Sequence, residues 1–326
     1  MTSITSITGF TGRLGAPAGS TQVVDLWNRS LPADPIDVER FRNLVLLDPN
    51  FDPDGLRLAW DGERLIGAAY AVRRTVAMVG DDLEPDRGWL PFFFVAPEAR
   101  GHGVGRRLLG DAVDWLRGHG RHEIYFASYT PNYILPGLDR KRYPEAGALL
   151  EQLGFGTLYQ AAAMDLGLVG YAVPEKTRTR MRGLEESGYS FGTPSSDELV
   201  PLIRLAYDHF NPDWARAIRE AVLAGLPLGN IVVARDPSGE IVGWGMFAAY
   251  EGVIERFGPF GVLSDRRGLG LGEVLLHLCL ERMRGRGAHS AWFLWTGEQT
   301  PAGHLYRKTG FTTTRVFDVM RASLAR

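Results

Sequence analysis

Residues Arg100, Gly101, His102, Gly103, Val104 and Gly105 form one glycine-rich run, and Arg267, Gly268, Leu269, Gly270, Leu271 and Gly272 form another. Each follows an apolar stretch that reads as a strand and opens an amphipathic stretch that reads as a helix. Such a turn leaves several backbone N–H groups without intrahelical acceptors at the positive end of the helix dipole, which makes it a cradle for a pyrophosphate. A chain of 326 residues that carries the same device twice reads as two copies of one domain.

The turn is neither of the two common phosphate motifs. A dinucleotide fingerprint needs a third glycine where Arg106 and Glu273 stand, and no Gly-Lys-Ser/Thr follows either run. Both runs instead read Arg-x-x-Gly-x-Gly, preceded by Val95-Ala-Pro97 in the first half and Val262-Leu-Ser264 in the second. This pattern resembles the acetyl-CoA signature of the GNAT N-acetyltransferase superfamily. The resemblance extends to the helix that closes the family's domain, typically Asn-x-x-Ala-x-x-Leu-Tyr followed by Gly-Phe. In the second half Gln299, Ala302, Leu305, Tyr306, Gly310 and Phe311 match it, with Gln for Asn. In the first half Ala146, Leu149, Gly154 and Phe155 match, but Tyr143 stands for the Asn and Leu150 for the Tyr.

The resemblance implies an α/β fold, more closely α+β with a mixed sheet, in two tandem GNAT domains. The expected division is 1–166, a linker 167–186, and 187–326. It implies acetyl-CoA, or another acyl-CoA, as donor. The implied contacts are Phe94, Val95, Arg100, Gly101, His102, Gly103, Val104, Gly105 and Arg106 in the first half. In the second they are Val262, Leu263, Arg267, Gly268, Leu269, Gly270, Leu271 and Gly272.

Hydrophobic content of 45% and charged content of 23% belong to a globular chain, and a net charge of −2 gives nucleic-acid binding little electrostatic support. The substrate is therefore expected to be small, or a local protein site, and the resemblance implies that its acceptor group is an amine, so a small-molecule amine is the expected acceptor. No metal is expected. Without an apolar leader or a membrane-length apolar run, a cytoplasmic location and no membrane partner are expected. A monomer or a homodimer remains open. Cys279, the one cysteine, sits in an apolar run and reads as a buried thiol.

Helical pieces at 23–28 and 37–47 would roof a substrate cleft, and Asp61-Gly62 would join strands 57–60 and 64–70 as a hairpin. Strands at 89–95 and 124–129 would flank a helix opened by the first turn. In the second copy, helices at 199–210 and 213–224 precede strands at 231–234, 241–249 and 257–263. The basic run Lys176 to Arg182 reads as a solvated linker, or as a contact to a cofactor phosphate from the other domain. Residues 129–143 read as an irregular insertion.

Direct acyl transfer to an amine, as the resemblance implies, sets three tasks: the amine must lose a proton, the oxyanion needs a fixed donor, and the departing thiolate needs a proton. Tyr306 suits the third, because a phenol keeps its proton at neutral pH, whereas Leu150 has none to give. Catalysis is therefore expected in the second half, with the first half binding acyl-CoA in a structural or regulatory role. Glu255 is the candidate base, although strand alternation would need a bulge to turn it inward. His304, Asp265 or a chain of waters could serve instead. Two other functions stay open, an acyl-CoA-binding protein without transfer and a protein N-acetyltransferase.

Overall fold

The computed structural model describes residues 5–9, 19–77, 80, 82–130 and 132–324. The chain forms two compact units, residues 1–161 with 316–326 and residues 162–315.

The first unit opens with β1 (Ser6–Gly9) and α1 (Gly19–Ser30), followed by the short α2 (Val38–Phe41). Apolar residues at helical spacing bury one face of α1 through Val23, Val24, Leu26 and Trp27. β2 (Leu56–Asp61) and β3 (Arg64–Val72) pair antiparallel around Gly62, which takes the positive φ the tight turn requires. β4 (Arg87–Val95) pairs antiparallel with β3 and parallel with β5 (Glu123–Phe126). A parallel pair needs a crossover, and α3 (Val104–Gly118) supplies it, burying Leu108, Leu109, Ala112 and Leu116. Each such leucine contributes roughly 2 kcal/mol of apolar burial. α4 (Pro144–Gln152) and β6 (Gly156–Gly167) follow.

The second unit begins with Ala162 to Gly167 of β6, then α5 (Glu175–Glu186), β7 (Ser190–Gly192), α6 (Leu199–His209) and α7 (Pro212–Leu223). β8 (Ile231–Arg235), β9 (Ile241–Phe247) and β10 (Phe257–Val262) complete a meander ordered β10-β9-β8-β7. α8 (Leu271–Gly285) leads to β11 (Ser290–Thr296), which pairs with Ala162 to Gly167 of β6. α9 (Pro301–Thr309) ends at Gly310 (φ +107°), and β12 (Thr312–Ser323) closes the chain.

Three expectations change. The stretch 167–186, expected as a solvated linker, is helical over 175–186 and buries Leu184 in the core of the second unit. The last strand does not stay wholly with its own half: Thr312 to Arg315 lie in the second unit, but Met320 to Ser323 pair with Phe126 to Glu123, so the chain's end completes the first unit. The strand expected to 129 ends at Phe126, because Ala127 turns to φ +61°. Within the insertion, Leu138 bridges Asp318, and Pro131 lies outside the described residues.

Candidate active site

Each glycine turn has the geometry its composition demands. Gly103 (φ +79°) and Gly270 (φ +92°) are the N-caps of α3 and α8, in the left-handed region where a side chain costs about 1–2 kcal/mol. The first intrahelical bonds run from Arg107 N–H to the Gly103 carbonyl and from Val274 N–H to that of Gly270. Between them and the opening arginines, the N–H groups of residues 101–106 and 268–273 find no backbone acceptor among the described residues.

The arginine that opens each run holds the turn. Arg100 Nε donates to the Val95 carbonyl at 3.3 Å and its Nη2 to that of Ser30 at 2.8 Å. Arg267 Nε repeats the first bond to the Val262 carbonyl at 3.4 Å. His102 is exposed, with Nδ1 2.8 Å from the Arg100 carbonyl oxygen. Arg106 bonds Gln152.

In the first unit the turn borders a cavity of about 560 Å³. Gly101, Gly103 and Gly105 of the turn, Phe93 and Phe126 of the two strands, and Tyr143 and Leu149 of the α4 segment line it. The cavity forms where β4 and β5 part: their ladder ends at Leu90 and Phe126, while β4 continues to Val95 against β3 alone. The Ala96 N–H bonds the Ile66 carbonyl, so strand alternation turns the N–H groups of Phe93 and Val95 away from β3, toward the gap. Tyr143, standing for the family's Asn, donates its hydroxyl to Asp34 at 2.6 Å. Leu150 is wholly buried.

The second unit repeats the gap. Among the described residues β10 and β11 form no ladder; an isolated bridge joins Arg256, just before β10, to Trp292, whose N–H donates to the Glu255 carbonyl at 2.9 Å. Leu263 N–H bonds Val242, so Val262 and Phe260 take the gap-facing register. Tyr306 sits at this gap, its ring 4.5 Å from Phe293 of β11 and 6.2 Å from both Phe257 and Phe260 of β10. It is 7% exposed, its hydroxyl bonds no described residue, and burial, with Cys279 adding, pushes its pKa well above the ordinary phenol value. Burial therefore keeps the phenol protonated at neutral pH.

Glu255 lies just before β10, half-buried, and its carboxylate bonds no described residue. The neighbouring Arg256 is buried, pairs with Glu251 at 2.7 Å and stacks 4.5 Å from the Tyr250 ring. The ladder irregularity falls later, between Phe257 and Phe260. Trp244 is wholly buried against Phe210 and Trp214, which makes it core.

Sequence reasoning missed the charges on the second turn. Glu273, at the place of Arg106, accepts from Thr177, Arg180 and Lys308. The basic run at 176–182 was the available signal, but its partner could not be read without the packing of α5 on α8. Among the described residues no helix is long and apolar enough to cross a membrane.

Comparisons with known proteins agree with this geometry. A mycothiol acetyltransferase of Saccharomonospora viridis is 25% identical over 317 residues, 88% of this chain and 95% of that protein. One from Arthrobacter sp. is 29% identical over 132 residues, spanning 36% of this chain and 40% of that protein's length. A solved tandem GNAT protein from the clavulanic acid biosynthesis pathway superposes with a TM-score of 0.65 at 17% identity, covering 98% of this chain and 99% of its own. The acetyltransferase (GNAT) family matches twice, at residues 21–135 and 197–311, once over each glycine turn. The chain therefore belongs to the acetyltransferase (GNAT) family, with two copies of the family's domain in tandem.

Proposed function

We propose that this chain transfers acetyl from acetyl-CoA directly to an amine of a small molecule, with the chemistry in the second unit. The observation that carries the reading is the contrast at one position: Tyr306, with an unengaged hydroxyl at the β10/β11 gap, against the wholly buried Leu150. The first unit, with its open turn and cavity, binds acyl-CoA without turning it over. The relatives' name, mycothiol acetyltransferase, favours a small acceptor over a protein.

In this mechanism the pyrophosphate of acetyl-CoA rests on the N–H groups of residues 268–272, and the thioester carbonyl enters the gap. The N–H of Val262, or of Phe260, meets the oxyanion as the neutral amine attacks the carbonyl carbon. Collapse breaks the C–S bond, and Tyr306 gives its proton to the departing thiolate. The proton released by the amine returns to the phenolate, through Glu255 or through water. Bound acyl-CoA in the first unit stabilises that unit by mass action, about 4 kcal/mol at a thousandfold excess over Kd.

Native mass spectrometry with acetyl-CoA tests the two cradles. His102 and Leu269 are exposed on the turns, so His102→Glu and Leu269→Glu each put a carboxylate in one cradle and leave the positive-φ glycines intact. Two bound molecules in the wild type, one in each variant, and amine-dependent CoA release lost only in Leu269→Glu support the reading. Release lost only in His102→Glu moves catalysis to the first unit. Release in neither wild type nor variant, across a panel of amines and peptides, leaves an acyl-CoA-binding protein.

A further inference from the structure

The two turns differ in what stands over them. A Cβ on Gly103 would meet open space, whereas a Cβ on Gly270 would fall 2.8 Å from Arg180 Nη1. Arg180 comes from α5, the helix that replaces part of the expected linker, and all the groups involved belong to the second unit. Arg180 Nη1 lies 2.9 Å from Glu273 Oε2, and Lys308 Nζ of α9 lies 3.1 Å from the same oxygen. Thr177 Oγ1 donates to Oε1 at 3.1 Å. The Glu273 carboxyl is buried, which alone would raise its pKa, but Lys308, Thr177 and Arg180 outweigh that and lower it.

Two cations thus share one carboxylate oxygen in the first turn of α8. That end of a helix already carries partial positive charge and repels cations. One carboxylate neutralises one cation, so the cluster keeps an excess positive charge against unpartnered N–H groups. An anion of higher charge completes the balance. On the first turn the same position is Arg106, and a Cβ on Gly103 would have no described neighbour within 4 Å.

Resting on the reading of the second unit as an acetyl-CoA site, we infer that Arg180 and Lys308 are its phosphate ligands. Glu273 holds them in place until the diphosphate of acyl-CoA takes them over. The exchange moves no covalent bond. Arg180 and Lys308 turn from the Glu273 oxygen to phosphate oxygens, and Glu273 keeps its bond from Thr177. Because Glu273 competes with the ligand for both cations, it also sets how tightly the cradle binds.

The test uses the full chain carrying His102→Glu, so that acetyl-CoA reads the second cradle alone. Isothermal titration compares acetyl-CoA with acetyl-pantetheine, which has no diphosphate. Arg180→Ala is expected to weaken acetyl-CoA about tenfold, the loss of one charge-assisted hydrogen bond, and to leave acetyl-pantetheine unchanged. Lys308→Ala is expected to act in the same direction. Glu273→Gln is expected to tighten acetyl-CoA severalfold, a gain that misfolding cannot imitate. Unchanged or tighter acetyl-CoA binding in Arg180→Ala overturns the inference, as does equal loss for both ligands, which marks a merely structural arginine. If the His102→Glu chain binds no acetyl-CoA at all, and Glu273→Gln does not restore binding, the second unit is not a CoA site and the functional reading falls with the inference.

Discussion

Tyr306 and Cys279 are adjacent problems in proton retention with different consequences. Burial pushes the Cys279 thiol up to about 12, and its side chain is fully enclosed by the core of the second unit. It should not react with Ellman's reagent in the native protein at pH 8 and should titrate as one thiol after denaturation; native labelling within minutes would show that the core around α8 opens. Tyr306 is held protonated by the same burial but stands at the gap between two strands. Tyr306→Phe keeps the ring contacts and removes the proton, so amine-dependent CoA release should fall at least a hundredfold while acetyl-CoA binding stays within about twofold. Equal loss of binding and rate would instead mark the hydroxyl as a packing group.

At the scale of elements, the second unit ties the entry of α6 to β8 with one ion pair. Glu198 stands at the α6 N-cap position; Arg235 of β8 donates to it through Nε and Nη2, and the Ser195 N–H donates at 2.7 Å. The Arg235 bonds, and then the Ser195 backbone bond, pull the Glu198 carboxyl down to about 2. A carboxyl whose pKa is depressed on folding stabilises the fold above its unfolded value and loses that contribution as pH falls through its folded value. Glu198→Gln should therefore lower Tm at pH 7, with the difference from wild type closing between about pH 4.5 and 2. A difference that persists unchanged at pH 2 would assign it to packing. The glycine turns make a parallel case: Gly103→Ala should cost about 1 kcal/mol through its positive φ alone, since a Cβ there touches nothing.

At the scale of the whole molecule, the chain's end belongs to the first unit. Phe317, Val319 and Met320 are buried, and Asp318 accepts from Arg140 Nε at 2.8 Å and Gln160 Nε2 at 2.9 Å. Removing 316–326 uncovers β5 and forfeits roughly 2 kcal/mol for each buried apolar side chain, a large share of a domain's 5–15 kcal/mol. In hydrogen exchange the truncated chain should lose protection at 87–95 and 123–126 and keep it at 231–235 and 271–285. Loss confined to 231–285 would contradict this assignment of the last strand.

Much of this was legible along the chain. The two glycine turns, the strand before each, the helix after each and the Asp61-Gly62 hairpin follow from local rules of backbone freedom and periodicity, and the structure places them where those rules put them. The contrast of Tyr306 with Leu150 was also visible, because it needs only two aligned segments. What the chain could not disclose depends on which surfaces meet. Arg180 stands over Gly270 because α5 packs on α8, and the end of β12 leaves its own half to pair with β5. Local propensity determines the elements and the turns, whereas pairing of distant strands and charges is decided by tertiary contact, which no spacing in a single sequence encodes.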